Sequence, residues 1–379
     1  MKTEFIWFAM LIVWGLALTF HVWGAWLARR QFESEANRDH ENLKPVSILK
    51  PVKGVDGGLE ENLESFFELR YPSFELLFSV ADADDPAIPI IRKVMARFPK
   101  VDSQLFIGDV EVGLNPKVNN LVRSFDAAKN DWVLISDCNV RVREDYLYCT
   151  TEKFAPDVGI VTASVTGSLP SGLGSWVEAL FLNTFYRRWM LISKQVGHAV
   201  VLGKSMLFRK SDAAKFGGLK TLGRYLAEDY VAGLEMGQLG LKIEMMSMPV
   251  QQPLHHKSLK SFWGRHVRWG RIRKSQAPGL FLIEPLLSLW ISGLMGALAM
   301  KALFGIAPAA VFVAHVFAWI IADLMLVRAG RAELSWKTPL MWFAKELLYL
   351  PLWVHIGSGR TVMWRGQKLV VKHGGLLDR

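Results

Sequence analysis

Three oxygen-bearing side chains, Ser136, Asp137 and Asn139, follow directly on the apolar run Trp132-Val133-Leu134-Ile135, which reads as a short buried strand. In open α/β sheets ligands bind beyond the carboxyl ends of the strands, so Asp137 is placed to meet a cation or a nucleotide. Capping of the next turn is the competing reading for a single Asp. Other polar groups have the same placement: Lys50-Pro51-Val52-Lys53-Gly54, Asp82-Ala83-Asp84-Asp85-Pro86 and Gly113-Leu114-Asn115-Pro116-Lys117 each follow or end an apolar run. Taken singly, Lys50, Lys53 and Lys117 are ordinary solvated loop charges. Gathered on one sheet edge with two carboxylate clusters, they suit a charged nucleotide. Glu228-Asp229 opens a helical stretch, where acids complement the helix dipole; beside a nucleotide site, one of them is equally placed to act as a general base. Arg265-His266-Val267-Arg268-Trp269 puts Arg265, Arg268 and Trp269 on one helical face, a two-guanidinium clamp with an aromatic wall that fits a diphosphate. A solvated or membrane-facing basic helix has the same spacing. His255-His256 lacks metal-ligand spacing and receives no role.

The elements that must carry these groups alternate. Strands are predicted at 46–52, 74–81, 103–107 and from Trp132, with helices at 59–69, 88–98 and 117–128 between them. Strand, crossover helix, strand at this spacing predicts an α/β domain with a doubly wound, mostly parallel sheet of nucleotide-binding type. Gly203-Lys204-Ser205-Met206 and Gly217-Gly218 read as turns or close approaches of the backbone.

The chain of 379 residues is 51% hydrophobic with 15 Trp, too apolar for an ordinary soluble protein, yet its 21% charged residues exceed a pure membrane bundle. Its 45 basic against 35 acidic residues leave +10, matched to an anionic membrane surface rather than to nucleic acid. Two cysteines, Cys138 and Cys149, provide neither a disulfide framework nor a thiolate metal cluster. Residues 5–28 are uncharged and followed by Arg29-Arg30, which predicts an uncleaved membrane anchor with an external N-terminus. The predicted organisation is an anchor at 1–30, a cytoplasmic catalytic domain at 31–280 after a polar linker, and a membrane region at 281–379. Leu282–Phe304 and Ile306–Val327 are long enough to span; Pro339–Ile356, with Lys345 and Glu346 at its middle and basic flanks on both sides, is expected to be re-entrant or interfacial, leaving three spans and a cytoplasmic C-terminus. Ser175–Ile192, with Trp176, Phe181, Phe185 and Trp189 beside Arg187 and Arg188, reads as an amphipathic segment in the membrane interface, a core helix being the alternative.

The order Asp82, Asp137, Asp229, Arg265-x-x-Arg268-Trp269 resembles the signature of membrane-bound inverting glycosyltransferases with a GT-A fold. The stretches at 47–56, 61–69, 84–88, 105–108, 115–121 and 227–230 are similar to the ceramide glucosyltransferases of glycosyltransferase family 21, a likeness that runs from about Val46 to Trp269. The resemblance implies that Asp82 contacts the uracil, that Lys117 lies near the nucleotide, that Asp137 meets the ribose and diphosphate or their Mg²⁺ or Mn²⁺, that Asp229 is the base, and that Arg265, Arg268 and Trp269 hold the leaving diphosphate. One departure stands out: many relatives have Asp-x-Asp where this chain has Asp137-Cys138-Asn139. With Asn139 offering a neutral oxygen, metal binding leans on Asp137 and on substrate phosphates.

The expected chemistry is a single displacement. A lipid hydroxyl loses its proton to Asp229 as it attacks the anomeric carbon, and the departing nucleoside diphosphate is stabilised by a metal and the arginines, giving a β-glycoside from an α-linked UDP-sugar. The expected acceptor is ceramide, drawn from what would be a bacterial inner membrane. A glycosyltransferase for another lipid such as a hopanoid, and a polysaccharide synthase, are the enzyme alternatives; three spans are few for a polymer channel. A basic lipid- or nucleic-acid-binding protein, needing no Asp229, is the alternative outside enzymes.

Overall fold

Parallel strands buried on both faces need continuous apolar runs, and Val46–Val52 and Phe74–Val80 supply them. In the computed structural model, which describes residues 2–33, 43–198, 200–364 and 367–378, they are β1 and β2 of a seven-stranded sheet. It continues with β3 (Ser103–Ile107), β4 (Trp132–Ile135), β5 (Val158–Thr162), then, after β6 (Val165–Pro170) in a separate pair, β7 (Met206–Arg209) and β8 (Lys242–Met245). The order is β3-β2-β1-β4-β7-β5-β8, with β7 antiparallel to both its neighbours and the other pairings parallel. β6 pairs with β9 (Val250–His255) as a second, two-stranded sheet. Expected and observed elements agree closely through the first half of the chain. Most of the polar linker expected after the anchor lies outside the described residues.

Alternation within each strand feeds two cores. On one face Ile48, Leu76, Phe78 and Leu134 pack with Phe66 of Leu59–Phe67 and Ile91 of Ala87–Arg97; on the other, Leu49, Leu77, Val133 and Ile135 pack with Val118, Leu121 and Phe125 of Pro116–Ala127. Each such side chain contributes about 1.5–3 kcal/mol by leaving water. With helices on both faces of the sheet, the polar segments that follow β1, β2 and β4 lie together beyond the carboxyl ends of these parallel strands.

Among the described residues two helices are long and apolar enough to cross a membrane, Glu4–Phe32 and Pro308–Ala329. The second expected span is broken. Pro278–Leu287 and Leu289–Phe304 meet at 57°, because Pro285 sits in a 3₁₀ turn and Ser288 caps the following helix, accepting from Ile291 N at 3.4 Å. They make a third span only if the bent pair is counted as one.

Residues 338–357, expected to be re-entrant or interfacial, form one unbroken helix around Pro351 with no hairpin turn; among the described residues it is not one of the helices long and apolar enough to cross a membrane. The mid-helix charges that argued for a hairpin are paired: Lys345 Nζ lies 2.9 Å from Asp323 Oδ2 and 2.6 Å from Glu346 Oε1, while Asp323 Oδ1 is 2.5 Å from Arg188. The segment 173–195 is likewise a core element rather than an interfacial one. It runs α, π, α through Leu173–Leu180, Phe181–Tyr186 and Arg187–Gln195, and Arg187 is buried, donating to the carbonyls of Val165, Asn183 and Leu326. Carbonyl acceptors and a carboxylate inside the bundle make it cheaper to bury these guanidinium groups than to aim them at the interface.

Among the described residues of the tail, β10 (Thr361–Trp364), β11 (Gln367–Val371) and β12 (Leu377–Asp378) form a small antiparallel sheet. Val362, Leu369 and Val371 pack on Leu226 and Ile272. Of the basic residues of the tail, Arg365 and Arg379 lie outside the described residues.

Candidate active site

Asn115 begins the construction. Its side-chain oxygen accepts from the amides of Lys117 and Val118, with Pro116 in the first turn, a helix start that sets the direction of Lys117. Its amide nitrogen donates to Glu228 Oε2 at 2.9 Å and to the Tyr225 carbonyl at 2.8 Å, tying the third crossover to the loop that carries the carboxylates. Lys117 Nζ then bridges Asp137 Oδ1 at 2.8 Å and Glu228 Oε1 at 2.9 Å, and reaches the Gly203 carbonyl at 3.3 Å. A residue from the third crossover, one from the end of β4 and one from the start of Glu228–Gln238 thus share one ion-pair network.

Lys50 supports it from below. It is fully buried at the end of β1, its ammonium donating to the Asp137 carbonyl at 2.8 Å and to Ser136 Oγ at 3.3 Å, and lying 3.5 Å from the centre of the Phe66 ring. Burial lowers its pKa to about 7. For Asp137 burial works the other way, but the ammonium groups of Lys117 and Lys204 outweigh it and hold the carboxyl at about 2. Asp137 is therefore an anion throughout the physiological range.

Asp229 differs from its neighbour Glu228. Glu228 is buried and committed to Lys117 and Asn115; Asp229, half-buried, accepts from Gly203 N at 2.7 Å and from Tyr230 N at 2.8 Å. Burial, and then the Glu228 charge, raise it to about 6. A carboxylate of that basicity, oriented by two amides, has the proton affinity a general base needs near neutral pH. A Cβ at residue 203 would come within 2.5 Å of Lys117 Nζ, so a glycine there leaves the Lys117 head its present position.

The other expected residues are placed as follows. Asp82 is exposed beyond β2 and accepts from Asp84 N at 3.0 Å, while Lys53 is exposed beyond β1. Arg265 pairs with the buried Glu178 at 3.2 Å and lies 5.9 Å from the Trp269 ring; Arg268 lies 6.0 Å from the Trp364 ring. Both arginines and Trp269 stand on the helix Leu259–Gln276, Arg265 against Glu178 and Arg268 toward the Trp364 ring. Asn139 Oδ1 accepts from Lys204 Nζ at 2.9 Å, and Lys204 lies 3.6 Å from Asp137 Oδ2.

Four residues in these contacts are not singled out by their sequence context. Lys204 looked like part of a turn, Glu178 like one residue of an amphipathic helix, and Glu228 like the lesser of two adjacent acids. Asp85 passed as one of a cluster, yet both its oxygens accept from Gly54 N, at 3.0 and 2.9 Å, which anchors the loop after β1. A signal did exist for Glu228: two adjacent carboxylates after a Gly-rich stretch are costly to bury unless one has a partner.

Residues 7–377 match the model of glycosyl transferase family 21. The chain belongs to that family. Relatives agree over most of its length: ceramide glucosyltransferase 3 of Caenorhabditis elegans is 31% identical over 344 residues, covering 89% of this chain and 75% of the relative, and the ceramide glucosyltransferase of Komagataella phaffii is 26% identical, covering 86% and 82%. Among solved structures, a mannosyltransferase of Pyrobaculum calidifontis in complex with GDP-Man and Mn²⁺ superposes with a TM-score of 0.53 at 18% identity, covering 88% of this chain and 98% of that one. The fold is thus GT-A, and the family 21 chain is a glycosyltransferase.

The donor set for a divalent ion is small. Asp137 gives a carboxylate and Asn139 an amide oxygen, and both converge on one compact cation, the Lys204 ammonium. Among the described residues no group of three His, Cys, Asp or Glu side chains surrounds a cation position. These two oxygens suit a hard ion that takes its remaining ligands from a diphosphate.

Proposed function

We propose that this family 21 enzyme transfers a hexose, glucose, from a UDP-sugar to the primary hydroxyl of ceramide at the cytoplasmic face of a membrane, inverting the anomeric centre to give a β-glycosylceramide. The observation that carries the reading is the pairing of a raised carboxylate, Asp229, with a lysine-rich anion site at Lys117, Lys50 and Lys204. Asp229 takes the acceptor proton; Lys117 and Lys204 face the departing diphosphate, and Lys50, fully buried, supports them through the Asp137 carbonyl and Ser136. Similarity to proteins named ceramide glucosyltransferase supports the acceptor.

In this reading the uracil lies beyond β2 at Asp82, with Lys53 at the neighbouring loop. Asp137 and Asn139 would hold a Mg²⁺ or Mn²⁺ ion, which when bound neutralises charge on the diphosphate. Arg265 and Arg268 add directed donors to the leaving group, with Trp269 as a wall. Asp229 keeps its charge, and so its ability to accept a proton, above about pH 6. The helices Glu4–Phe32 and Pro308–Ala329 keep the open sheet edge at the lipid surface.

The test is purified enzyme with UDP-glucose and ceramide in mixed micelles, the products separated and read by mass spectrometry. A β-hexosylceramide formed with release of UDP is expected. Transfer to another lipid such as a hopanoid, with ceramide left unmodified, would replace the acceptor in this reading; no UDP release with any lipid would remove the donor.

A further inference from the structure

Beyond its place among the lysines of the anion site, the Lys204 ammonium occupies the position between the two oxygens best placed for a divalent ion. It is 2.9 Å from Asn139 Oδ1 and 3.6 Å from Asp137 Oδ2, on a side chain that is 13% exposed. Asp137 Oδ1 is taken by Lys117 at 2.8 Å. Both carboxylate oxygens of Asp137 thus face an ammonium, and the amide oxygen of Asn139 faces one as well. A lysine head is a compact cation with donors only, so it satisfies the same hard oxygens as a metal ion while carrying half the charge.

The lysine is held by its backbone. Gly203 N is fixed on Asp229, Ser205 N donates to the Leu202 carbonyl at 3.1 Å, and Ser205 Oγ lies 2.6 Å from the Tyr146 hydroxyl. The four-carbon stem alone is left to move. An ion approaching Asp137 in the free protein meets the ammonium groups of Lys117 and Lys204 on its two oxygens, and the nearby acids are already engaged, Glu228 by Lys117 and Asn115 and Asp229 by the amides of Gly203 and Tyr230. A diphosphate brings several negative charges and offers the Lys204 ammonium a better partner.

We propose that Lys204 is a resident cation in the seat of the divalent ion: it keeps Asp137 and Asn139 occupied in the free protein and yields them only to an ion that arrives with the nucleotide. Ion and nucleotide then bind with strong mutual dependence, because each relieves the charge conflict the other creates. The inference rests on the nucleotide-sugar reading above.

Electron paramagnetic resonance of free Mn²⁺, titrated with the purified full chain, reads binding without turnover. Wild-type protein is expected to take up Mn²⁺ at least tenfold more tightly with UDP than without it. Lys204→Met should bind Mn²⁺ without UDP at least tenfold more tightly than wild type, and a second change, Asn139→Ala, should reverse that gain. Lys204→Gln serves as a shorter neutral variant, with circular dichroism to verify the fold of each. Wild-type protein that binds Mn²⁺ alone as tightly as either neutral variant overturns the proposal, and so does a gain that survives both Asn139→Ala and Asp137→Asn. If UDP leaves wild-type Mn²⁺ uptake unchanged while the Lys204→Met gain persists and reverses with Asn139→Ala, the seat stands and the nucleotide reading falls.

Discussion

Two buried charge networks stand side by side in this molecule and are built on opposite plans. At the sheet edge, Lys50, Lys117 and Lys204 face Asp137, Glu228 and Asp229; in the helical bundle, Arg188 and Lys345 face Asp323 and Glu346. In both, positive and negative groups are equal in number. The bundle network is closed: Asp323 is 1% exposed, with Arg188 on one oxygen and Lys345 and the Trp342 indole, at 2.8 Å, on the other. The sheet-edge network is open, since the Asp137 side chain is 29% exposed and the lysines around it are shared between partners. A closed network holds helices in register, whereas an open one keeps binding capacity for a substrate. The difference follows from where the groups sit. Mid-helix faces turn toward other helices, while strand ends and helix starts turn toward a crevice.

The sharpest way to break the comparison is to remove one carboxylate from each network and ask which property fails. Asp229→Asn should lower kcat by about 10²-fold or more while UDP-sugar affinity stays within a few fold, read by steady-state kinetics and equilibrium binding. Near-normal turnover would take Asp229 out of the chemistry. Asp323→Ala should do the reverse. It leaves Arg188 and Lys345 without their shared anion at a cost of about 3–5 kcal/mol, seen as a lower unfolding temperature in detergent, while the folded fraction keeps its kcat. Loss of turnover at unchanged thermal stability would make the bundle network part of the site.

Smaller effects sharpen the boundary between the two regions. Arg268→Lys is expected to be nearly as harmful to kcat as Arg268→Ala, because a diphosphate needs the guanidinium fork and the contact with the Trp364 ring favours a planar cation. Full activity of the lysine variant would assign Arg268 to surface charge. The pH profile of kcat/KM should have an acid limb near 6, with activity falling as Asp229 is neutralised, and the limb should vanish in Asp229→Asn. The sign separates this from acid unfolding. A carboxyl whose folded pKa is raised stabilises the fold at low pH, and that contribution is lost as pH rises through about 6.

The GT-A half of the fold was readable because its strands are short continuous apolar runs and its crossovers have regular spacing, features decided within a dozen residues. The placement of Asp137, Lys117 and Asp229 was readable for the same reason, since each sits at a junction that local patterning locates, whereas the roles proposed for them come from the family resemblance. Lys204, Glu178 and Asp85 were not readable, since a turn lysine, a helix glutamate and a loop aspartate look alike wherever they point. The small sheet of the tail was not legible because Val362–Trp364 and Leu369–Val371 are too short to outweigh the surrounding basic residues.

What the sequence determined by itself is therefore the alternation of elements, the apolar lengths and the chemical groups delivered to the sheet edge. What tertiary structure alone decided is which charges meet. Lys345 and Glu346 in isolation argue against a buried helix, and Asp323 and Arg188, distant in the chain, reverse that balance by contact. Asn139 in isolation argues for a weak metal ligand, and Lys204, 65 residues on, gives it a cation of its own. The physical reason is common to both cases: the cost of burying a charge depends on its partner, and the partner comes from a part of the chain that local pattern does not see.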